Sequence, residues 1–321
     1  MRKLNFDAKE ANEKIGKSHG TKDNRLNTLN QLVTHLYANN IQHASLQDIR
    51  PKDIKSFIEA KKELGRRLRT LENLMAHIRS FLKQEGRHRL ANDPMLTNSA
   101  LGISGGSREG KKLPILPYAF ESAVEIAKMK DIGVAACMVL SLVLGLRSLE
   151  AIRSWKSLKT WKKQLLAGED ELKVVYGTKG GRDRWVKVHD RDAVLKAVLF
   201  ACDVAATRKG KLIDRPNLKT AINHFRRIAR ESGLKGNQSF HSLRYWFAVM
   251  ALKSYLNAGF SHEEALVLTS HDLGHGDGRG QYIKHVYVQS FWNSMEQEFI
   301  YTEFKFFHPE NTICEQIPLF S

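Results

Sequence analysis

The chain has 321 residues, with 51 lysines and arginines against 34 aspartates and glutamates, a formal net charge of +17. Hydrophobic residues make up 42% and charged residues 26% of the chain, which is enough to bury a core and excludes a wholly disordered basic tail or a fibrous repeat. The length favours two domains. The excess of positive charge predicts a polyanionic partner, with nucleic acid ahead of an acidic membrane surface.

The cysteines and the apolar segments narrow the possibilities further. Cys137, Cys202 and Cys314 are too few and too widely spaced for a disulfide framework or a four-ligand zinc site. The longest apolar run, residues 132–146, is shorter than the roughly 20 residues of a spanning helix, and the charged amino terminus is unlike a signal peptide. We therefore predict a cytoplasmic protein with no membrane association, no metal and no cofactor.

The first 92 residues have the pattern of a small helical domain. Residues 27–38 contain one apolar stripe at helical spacing, formed by Leu29, Leu32, Val33 and Leu36. Ser45, Asp48 and Pro51 indicate further helix starts, and a second stripe follows in residues 71–82. Basic side chains crowd the faces around that second stripe: Arg66, Arg67, Arg69, Arg79, Lys83, Arg87 and Arg89.

Residues 93–112 lose this periodicity and are rich in glycine, serine and asparagine, which predicts a linker. Residues 1–112 hold 22 basic and 12 acidic side chains, or +10, and residues 113–321 hold 29 and 22, or +7. Both halves are thus basic, so a polyanion could lie between them.

After the linker the pattern is mainly helical, with one hairpin. Alternating β-forming residues in 171–176 and 184–189 flank a Gly-Gly turn at 178–183, which predicts two antiparallel strands. Helices are predicted on either side of the hairpin, at 118–130, 133–146, 192–206, 218–232, 242–258 and 262–270. The predicted fold class is mainly α with a small β-sheet (α+β).

Several polar residues stand out against this background. Arg147 ends the apolar run with Glu150 one helical turn later, and it would either meet an anion or cap helix-terminal carbonyls. Lys179 on the hairpin turn could reach into a groove or simply be solvated. His241 and Arg244, three residues apart at a helix start, could bind one phosphate or only pair within their own domain.

A histidine-rich and glycine-rich segment follows in SHDLGHGDGRGQYIKHVY. His271 and His275 have the spacing of a metal-binding pair, but Gly274 should end the helix between them and the acidic residue of HExxH is missing. The GDGRG stretch fits neither phosphate-binding glycine motif, because it follows a helix where those motifs follow strands. The same segment contains two tyrosines, Tyr282 and Tyr287.

Taken in order, GLRSLE, the hairpin lysine, HSLR, LGH and a tyrosine resemble the tyrosine recombinase family, also called phage integrases. The resemblance covers about residues 115–300, and the basic helical module before the linker is similar to the family's core-DNA-binding, SAM-like domain. It implies a C-shaped clamp made of a core-DNA-binding domain at 1–92, a linker at 93–112, a catalytic domain at 113–307 and a tail at 308–321.

The resemblance also implies a chemistry, cleavage and rejoining of DNA strands through a 3′-phosphotyrosyl intermediate. Arg147 and Arg244 would clamp the nonbridging phosphate oxygens, and His241 would assist proton transfer from the phenol. His275 would hydrogen-bond the phosphate, Lys179 would protonate the departing 5′ oxygen, and Glu150 would orient its neighbours. The implied partners are double-stranded DNA, a homotetramer on synapsed sites and DNA-bending accessory proteins, in a bacterial cytoplasm and on the nucleoid when bound.

The identity of the nucleophile departs from the family pattern, which places it nine residues after the LGH histidine, where this chain has Lys284. The glycines at 276, 278 and 280 predict an irregular chain up to about Gln281, then a helix with Tyr282 in its first turn and Tyr287 well inside. The family's nucleophile lies inside a short helix, so we favour Tyr287 and keep Tyr282 as the alternative.

Other functions remain open at this level. The unusual tyrosine spacing is compatible with a DNA-binding relative that lost catalysis, and a type IB topoisomerase would share the chemistry. The apolar residues Ile317, Leu319 and Phe320 predict either a tail passed to a neighbouring subunit or one packed on its own domain.

Overall fold

The computed structural model describes residues 2–15, 19–107, 110, 112–276 and 278–293. Contacts divide the chain into two compact units, Met1–Arg108 and Glu109–Ser321. The tail at 308–321, with Cys314 and the three apolar residues named above, lies outside the described residues.

The first unit is all helical in its described part. Its helices are α1 (Arg2–Lys14), α2 (His19–Ala38), α3 (Pro51–Glu63), α4 (Leu68–Gln84) and α5 (His88–Ala91). The two predicted stripes form its core, since Leu29, Leu32, Val33 and Leu36 of α2 and Leu71, Met75, Ile78 and Leu82 of α4 are all buried. Helix α1 has no counterpart among the predicted elements, because its sequence carries few apolar residues.

Local capping explains where these helices begin. Ser45 and Asp48 form the predicted capping box on a short 3₁₀ turn, and Pro51 occupies the start of α3. Two of the arginines around the second stripe form hydrogen bonds within the first unit. Arg79 donates to Leu96 O (2.6 Å), and Arg87 donates to two carbonyls near the capping box. These two side chains therefore hold loops in place.

Part of the stretch whose composition predicts a linker packs on this core. Leu96, Leu101 and Ile103 are buried among the apolar side chains of the first unit, and Lys62 of α3 donates to Leu101 O (3.1 Å). The structured chain of the first unit thus extends well beyond residue 92.

The second unit is mainly helical around one hairpin. Its elements are α6 (Pro117–Leu144), α7 (Ser148–Arg153), α8 (Leu158–Leu166), β1 (Glu171–Val174), β2 (Arg184–Lys187), α9 (Arg191–Ala206), α10 (Leu218–Glu231), α11 (His241–Asn257), α12 (His262–Asp272), α13 (Gly280–Val286) and α14 (Gln289–Asn293). The predicted fold class, mainly α with a small sheet, is confirmed.

Helix α6 is the centre of this unit. It is kinked at Asp131, whose backbone is non-helical, and this break matches the gap between the two helices predicted there. After the kink, residues 134–140 are all buried, as a core helix requires. Among the described residues no single helix is long and apolar enough to cross a membrane; α6 passes that test only together with the sharply bent segment that follows it.

The hairpin is shorter than its sequence pattern predicts. The strands pair antiparallel from Glu171 opposite Lys187 to Val174 opposite Arg184, so residues 175–183 form a long loop in place of the predicted tight turn. The strands end early because the chain at Gly177 (φ 87°) turns against α7, where a Cβ would lie 2.5 Å from Leu149 O. The base of the loop that carries Lys179 is thereby anchored on α7.

Candidate active site

The site begins where α6 ends. Gly145 closes the helix in a left-handed conformation (φ 55°), and a Cβ there would lie 2.5 Å from the ring of Phe247, so only glycine fits. The chain then turns into α7, which Arg147 caps: its main-chain N–H donates to Glu150 Oε2 (2.9 Å) and its guanidinium to Glu150 Oε1 (2.7 Å). Glu150 thus fixes Arg147 at the start of the helix.

Glu150 also forms an ion pair with a second arginine. Arg184, buried on β2, donates from Nη2 to Glu150 Oε2 (2.9 Å) and to Gly145 O (3.2 Å). Burial alone would raise the pKa of Glu150, but the guanidiniums of Arg184, Arg244 and Arg147 outweigh it and lower that pKa to about 2. Glu150 is therefore an anion that balances part of a dense cationic cluster.

Arg244 occupies the middle of the cluster and is 1% exposed. Its guanidinium donates to Gly145 O and to Leu273 O, at the carboxyl ends of α6 and α12, where helix carbonyls lack intrahelical partners and favour a cation. Burial lowers the pKa of Arg244 to about 10, so it stays charged at neutral pH. Arg147 donates to the same Leu273 carbonyl (3.1 Å), so one main-chain oxygen connects both arginines.

Helix α12 ends at Asp272, as the glycine at 274 predicts. Gly274 is left-handed (φ 62°), and a Cβ on it would lie 2.5 Å from Arg184 Cδ. The turn carries His275 beside the arginines, where loss of hydration and the charges of Arg244 and Arg147 lower its pKa to about 3. His275 Nδ1 is buried without a partner among the described residues.

His241 lies at the start of α11, on the same face as Arg244. Part of its surface is exposed, yet loss of hydration and the guanidiniums of Arg244 and Arg147 lower its pKa to about 4. Both site histidines are therefore neutral at physiological pH, and a neutral imidazole can accept a proton.

The two tyrosines differ in burial and in contacts. Tyr287 is 3% exposed, and its hydroxyl lies 3.4 Å from His241 Nε2 and 3.4 Å from Arg244 Nε. Tyr282 is 39% exposed, and its ring packs edge-on against His275 (5.3 Å between centroids). Burial and the neighbouring Tyr287 raise the pKa of Tyr282. The prediction that Tyr287 lies well inside a helix is wrong, because α13 ends at Val286 and Tyr287 is its C-cap.

The structure brings together Arg147, Glu150, His241, Arg244, His275 and Tyr287, and it leaves Lys179 apart. Lys179 is exposed on a single turn of 3₁₀ helix within the hairpin loop, next to Gly180 with a left-handed backbone (φ 74°). Within the described residues its side chain forms no hydrogen bond or ion pair with the others.

The sequence did not point to four residues of the site, Arg184, Asp272, His189 and Tyr255. Arg184 alternates with outward-facing residues on a predicted strand, a signal that marks it as buried. Tyr245, one residue after Arg244, stacks on Tyr287 with 4.7 Å between ring centroids. In the part of the chain that the structure describes, no three or more His, Cys, Asp or Glu side chains are placed to hold a metal ion.

The lowered histidine pKa values predict a pH dependence of stability. His241 and His275 hold protons less tightly in the folded than in the unfolded chain, so unfolding takes up protons below pH about 6.5. Stability is therefore expected to fall as the pH drops from 7 towards 4, measured as the urea midpoint. His275→Gln should flatten this dependence, with His271→Gln on the exposed part of α12 as control; equal slopes in wild type and His275→Gln would contradict the assignment.

Two family models match the chain. One, described as phage integrase, N-terminal, covers residues 1–91, and the other, described as integrase, covers residues 102–250. The second match contains Arg147, Lys179, His241 and Arg244, whereas His275 and both tyrosines lie beyond its end. No curated protein matches the chain.

Three of the solved structures that resemble the chain are integrases. A lambda integrase dimer bound to a COC' core site is 17% identical with a TM-score of 0.56, over 95% of this chain and 80% of that one. A lambda integrase tetramer bound to a Holliday junction is 17% identical with a TM-score of 0.55, over 86% and 74%. A Tn1549 transposon integrase in complex with a circular intermediate DNA is 15% identical with a TM-score of 0.55, over 90% and 97%.

At these identities the structures establish the shared fold, and the two family models, which follow each other along the chain, establish the membership. The chain belongs to the phage integrase family, the tyrosine recombinases, and it is an enzyme. The expected resemblance is thus confirmed over both units.

Proposed function

We propose that this protein is a site-specific DNA recombinase that cleaves and rejoins strands through a 3′-phosphotyrosyl intermediate, with Tyr287 as nucleophile. The observation that carries the proposal is the position of the Tyr287 hydroxyl, 3.4 Å from both a neutral histidine and a buried arginine. Such contacts are long for hydrogen bonds, as is common in catalytic sites before the substrate is bound. The related structures in complex with DNA support duplex DNA as the substrate and a multimer, by the resemblance a homotetramer, as the working assembly.

The cleavage step follows from the groups present. The Tyr287 oxygen attacks the scissile phosphorus while its proton passes to Nε2 of neutral His241, in the tautomer that carries its hydrogen on Nδ1. Negative charge grows on the two nonbridging oxygens, and the guanidiniums of Arg147 and Arg244 stabilise it with N–H groups not used by carbonyls. His275, which is neutral, donates a hydrogen bond to an oxygen of the phosphate.

The P–O5′ bond breaks as the new P–O bond to tyrosine forms, so the 5′ oxygen needs a proton. Lys179 is the donor in this proposal, since the loop at 175–183 can carry its ammonium towards the departing oxygen. The products are a 3′-phosphotyrosyl enzyme and a free 5′ hydroxyl. The reverse reaction with the hydroxyl of another strand rejoins DNA without any other energy source.

The decisive experiment traps the covalent intermediate. A duplex with a nick just beyond the cleavage site loses the short 5′-hydroxyl fragment after cleavage, so an active enzyme accumulates a protein–DNA adduct that survives denaturation. The ends of the element that encodes the protein provide the sequence. Absence of adduct together with tight DNA binding would favour the alternative of a catalytically inactive relative. Relaxation of an arbitrary supercoiled plasmid would favour a type IB topoisomerase.

One helix of the second unit is suited to bind the DNA backbone. Lys219, Asn223, Arg226 and Arg230 form an exposed stripe along α10, opposite a buried apolar face. Helix α10 packs on α7, which begins directly after Arg147, so the helix that carries the stripe belongs to the same part of the second unit as the site. We infer that these side chains contact phosphates near the scissile bond.

Charge reversal on this stripe should weaken DNA binding. The double variant Arg226→Glu, Arg230→Glu is expected to raise Kd and to reduce the slope of log K against log salt by about 0.9 for each phosphate that the protein no longer neutralises. A double lysine-to-glutamate change at 162 and 163 on α8, which packs on α9 and β1, alters the charge by the same amount and is the control. An equal decrease in affinity in both proteins would show that only net charge matters.

A further inference from the structure

The two arginines of the proposed clamp share one acceptor. Leu273 O receives hydrogen bonds from Arg147 Nη2 (3.1 Å) and from Arg244 Nη2. The preceding carbonyl, Asp272 O, accepts from Arg184. Two consecutive main-chain oxygens at the end of α12 thus contact all three guanidiniums, in addition to the contacts that Glu150 and Gly145 make with them.

A buried carboxylate holds this turn. The Asp272 side chain, on a residue that is 4% exposed, accepts from the main-chain N–H of Lys187 on β2 (3.0 Å) through Oδ1. Its Oδ2 lies 2.8 Å from His189 Nε2, just beyond β2, and accepts from the Tyr255 hydroxyl on α11 (3.0 Å). One carboxylate thus ties the end of α12 to two other elements.

The distribution of partners indicates what this carboxylate is for. Three guanidiniums lie nearby, and within the described residues all three bind main-chain carbonyls while the carboxylate takes an amide, an imidazole and a phenol. If Asp272 served to neutralise the cluster, an arginine would be its partner, as for Glu150. Its contacts instead fix the direction of the carbonyls that follow it.

We propose that Asp272 is a positioning residue, which holds the Leu273 carbonyl so that Arg147 and Arg244 are spaced to grip one phosphate. Asp272 itself touches neither DNA nor Tyr287. The inference rests on the proposed function, because it assumes that the two arginines act on the scissile phosphate. Misplacement of groups that act together slows the chemical step steeply while leaving most binding contacts intact.

The test compares Asp272→Asn with the wild type in single-turnover adduct formation at saturating protein. We expect the rate constant to fall about 10- to 100-fold with Kd for the uncleaved duplex unchanged. Tyr255→Phe removes one of the three anchors and should give a smaller decrease in the same direction. It also serves if Asp272→Asn fails to fold.

A chemically altered substrate separates positioning from general destabilisation. When a methyl group replaces one nonbridging oxygen of the scissile phosphate, the transition state carries less negative charge for the arginines to stabilise. The ratio of the wild-type rate constant to that of Asp272→Asn should therefore be smaller on this substrate. Ser261→Ala, which removes the side-chain cap at the other end of α12, is the matched control and should slow both substrates equally if it slows either.

The outcomes are distinct. A wild-type rate for Asp272→Asn and Tyr255→Phe, or equal deficits on the phosphate and the methylphosphonate, would overturn the positioning role while the adduct itself still formed. No adduct from the wild-type protein would overturn the proposed function instead.

Discussion

Replacing Tyr287 with phenylalanine is expected to abolish the covalent protein–DNA adduct, whereas Tyr282→Phe should still form it. The reason is geometric: both tyrosine rings pack against His275, but the Tyr287 hydroxyl is the one that lies 3.4 Å from His241 Nε2 and from Arg244 Nε. Without the attacking oxygen the reaction cannot proceed, because that oxygen becomes part of the product. The measurement is denaturing electrophoresis of the nicked-duplex reaction with labelled DNA.

Binding provides the control for both variants. Neither hydroxyl is expected to make a large share of the phosphate contacts, so Kd for the uncleaved duplex should match the wild type. An adduct from Tyr287→Phe, with none from Tyr282→Phe, would reverse the assignment and make the exposed tyrosine the nucleophile.

Glu150→Ala is expected to lower the free energy of unfolding by about 3–5 kcal/mol, since it leaves Arg184 buried beside other guanidiniums without its anion. Glu150 is 1% exposed and its pKa is lowered to about 2, so it is charged throughout the neutral range. Urea unfolding at pH 7 measures the decrease, and cleavage should fall with it because Arg147 also loses its carboxylate partner.

Asp170→Ala is the matched control for removal of a paired acid. Asp170 pairs with Lys187 on the surface, where water and salt screen the charges, so its removal should have little effect. If Glu150→Ala unfolds at the same urea concentration as Asp170→Ala, the buried pair is not the stabilising unit described above.

Periodicity predicted the helices that contain apolar stripes. It did not predict the ends of the hairpin strands or helix α1. The stripes of α2 and α4 follow from side-chain spacing, and the buried second half of α6 follows from the continuous apolar run at 132–146. The hairpin strands end early because a distant contact, Gly177 on α7, bends the chain, and nothing in the strand sequence reports that contact. Helix α1 was missed because its apolar face is sparse.

The candidate site divides in the same way. Short motifs with chemical meaning pointed to Arg147, His241, Arg244 and His275, and the structure places them together. Arg184 and Asp272 escaped because their partners are carbonyls and side chains far along the chain, 88 residues apart for the pair they form with each other. The position of Tyr287 at the end of α13 depends on the residue at which the helix begins after the glycine-rich loop, and composition does not determine that residue.

Because the acceptor shared by Arg147 and Arg244 is a main-chain oxygen, it does not depend on which amino acid occupies position 273. Every residue at that position supplies the same oxygen, so a substitution there does not remove the acceptor that the two arginines share. Only a change of the backbone itself, such as an ester in place of the peptide bond that follows, would weaken the acceptor without altering any side chain. The acceptor shared by Arg147 and Arg244 is in this sense a property of the main chain, so a comparison of the residues at position 273 alone does not reveal it.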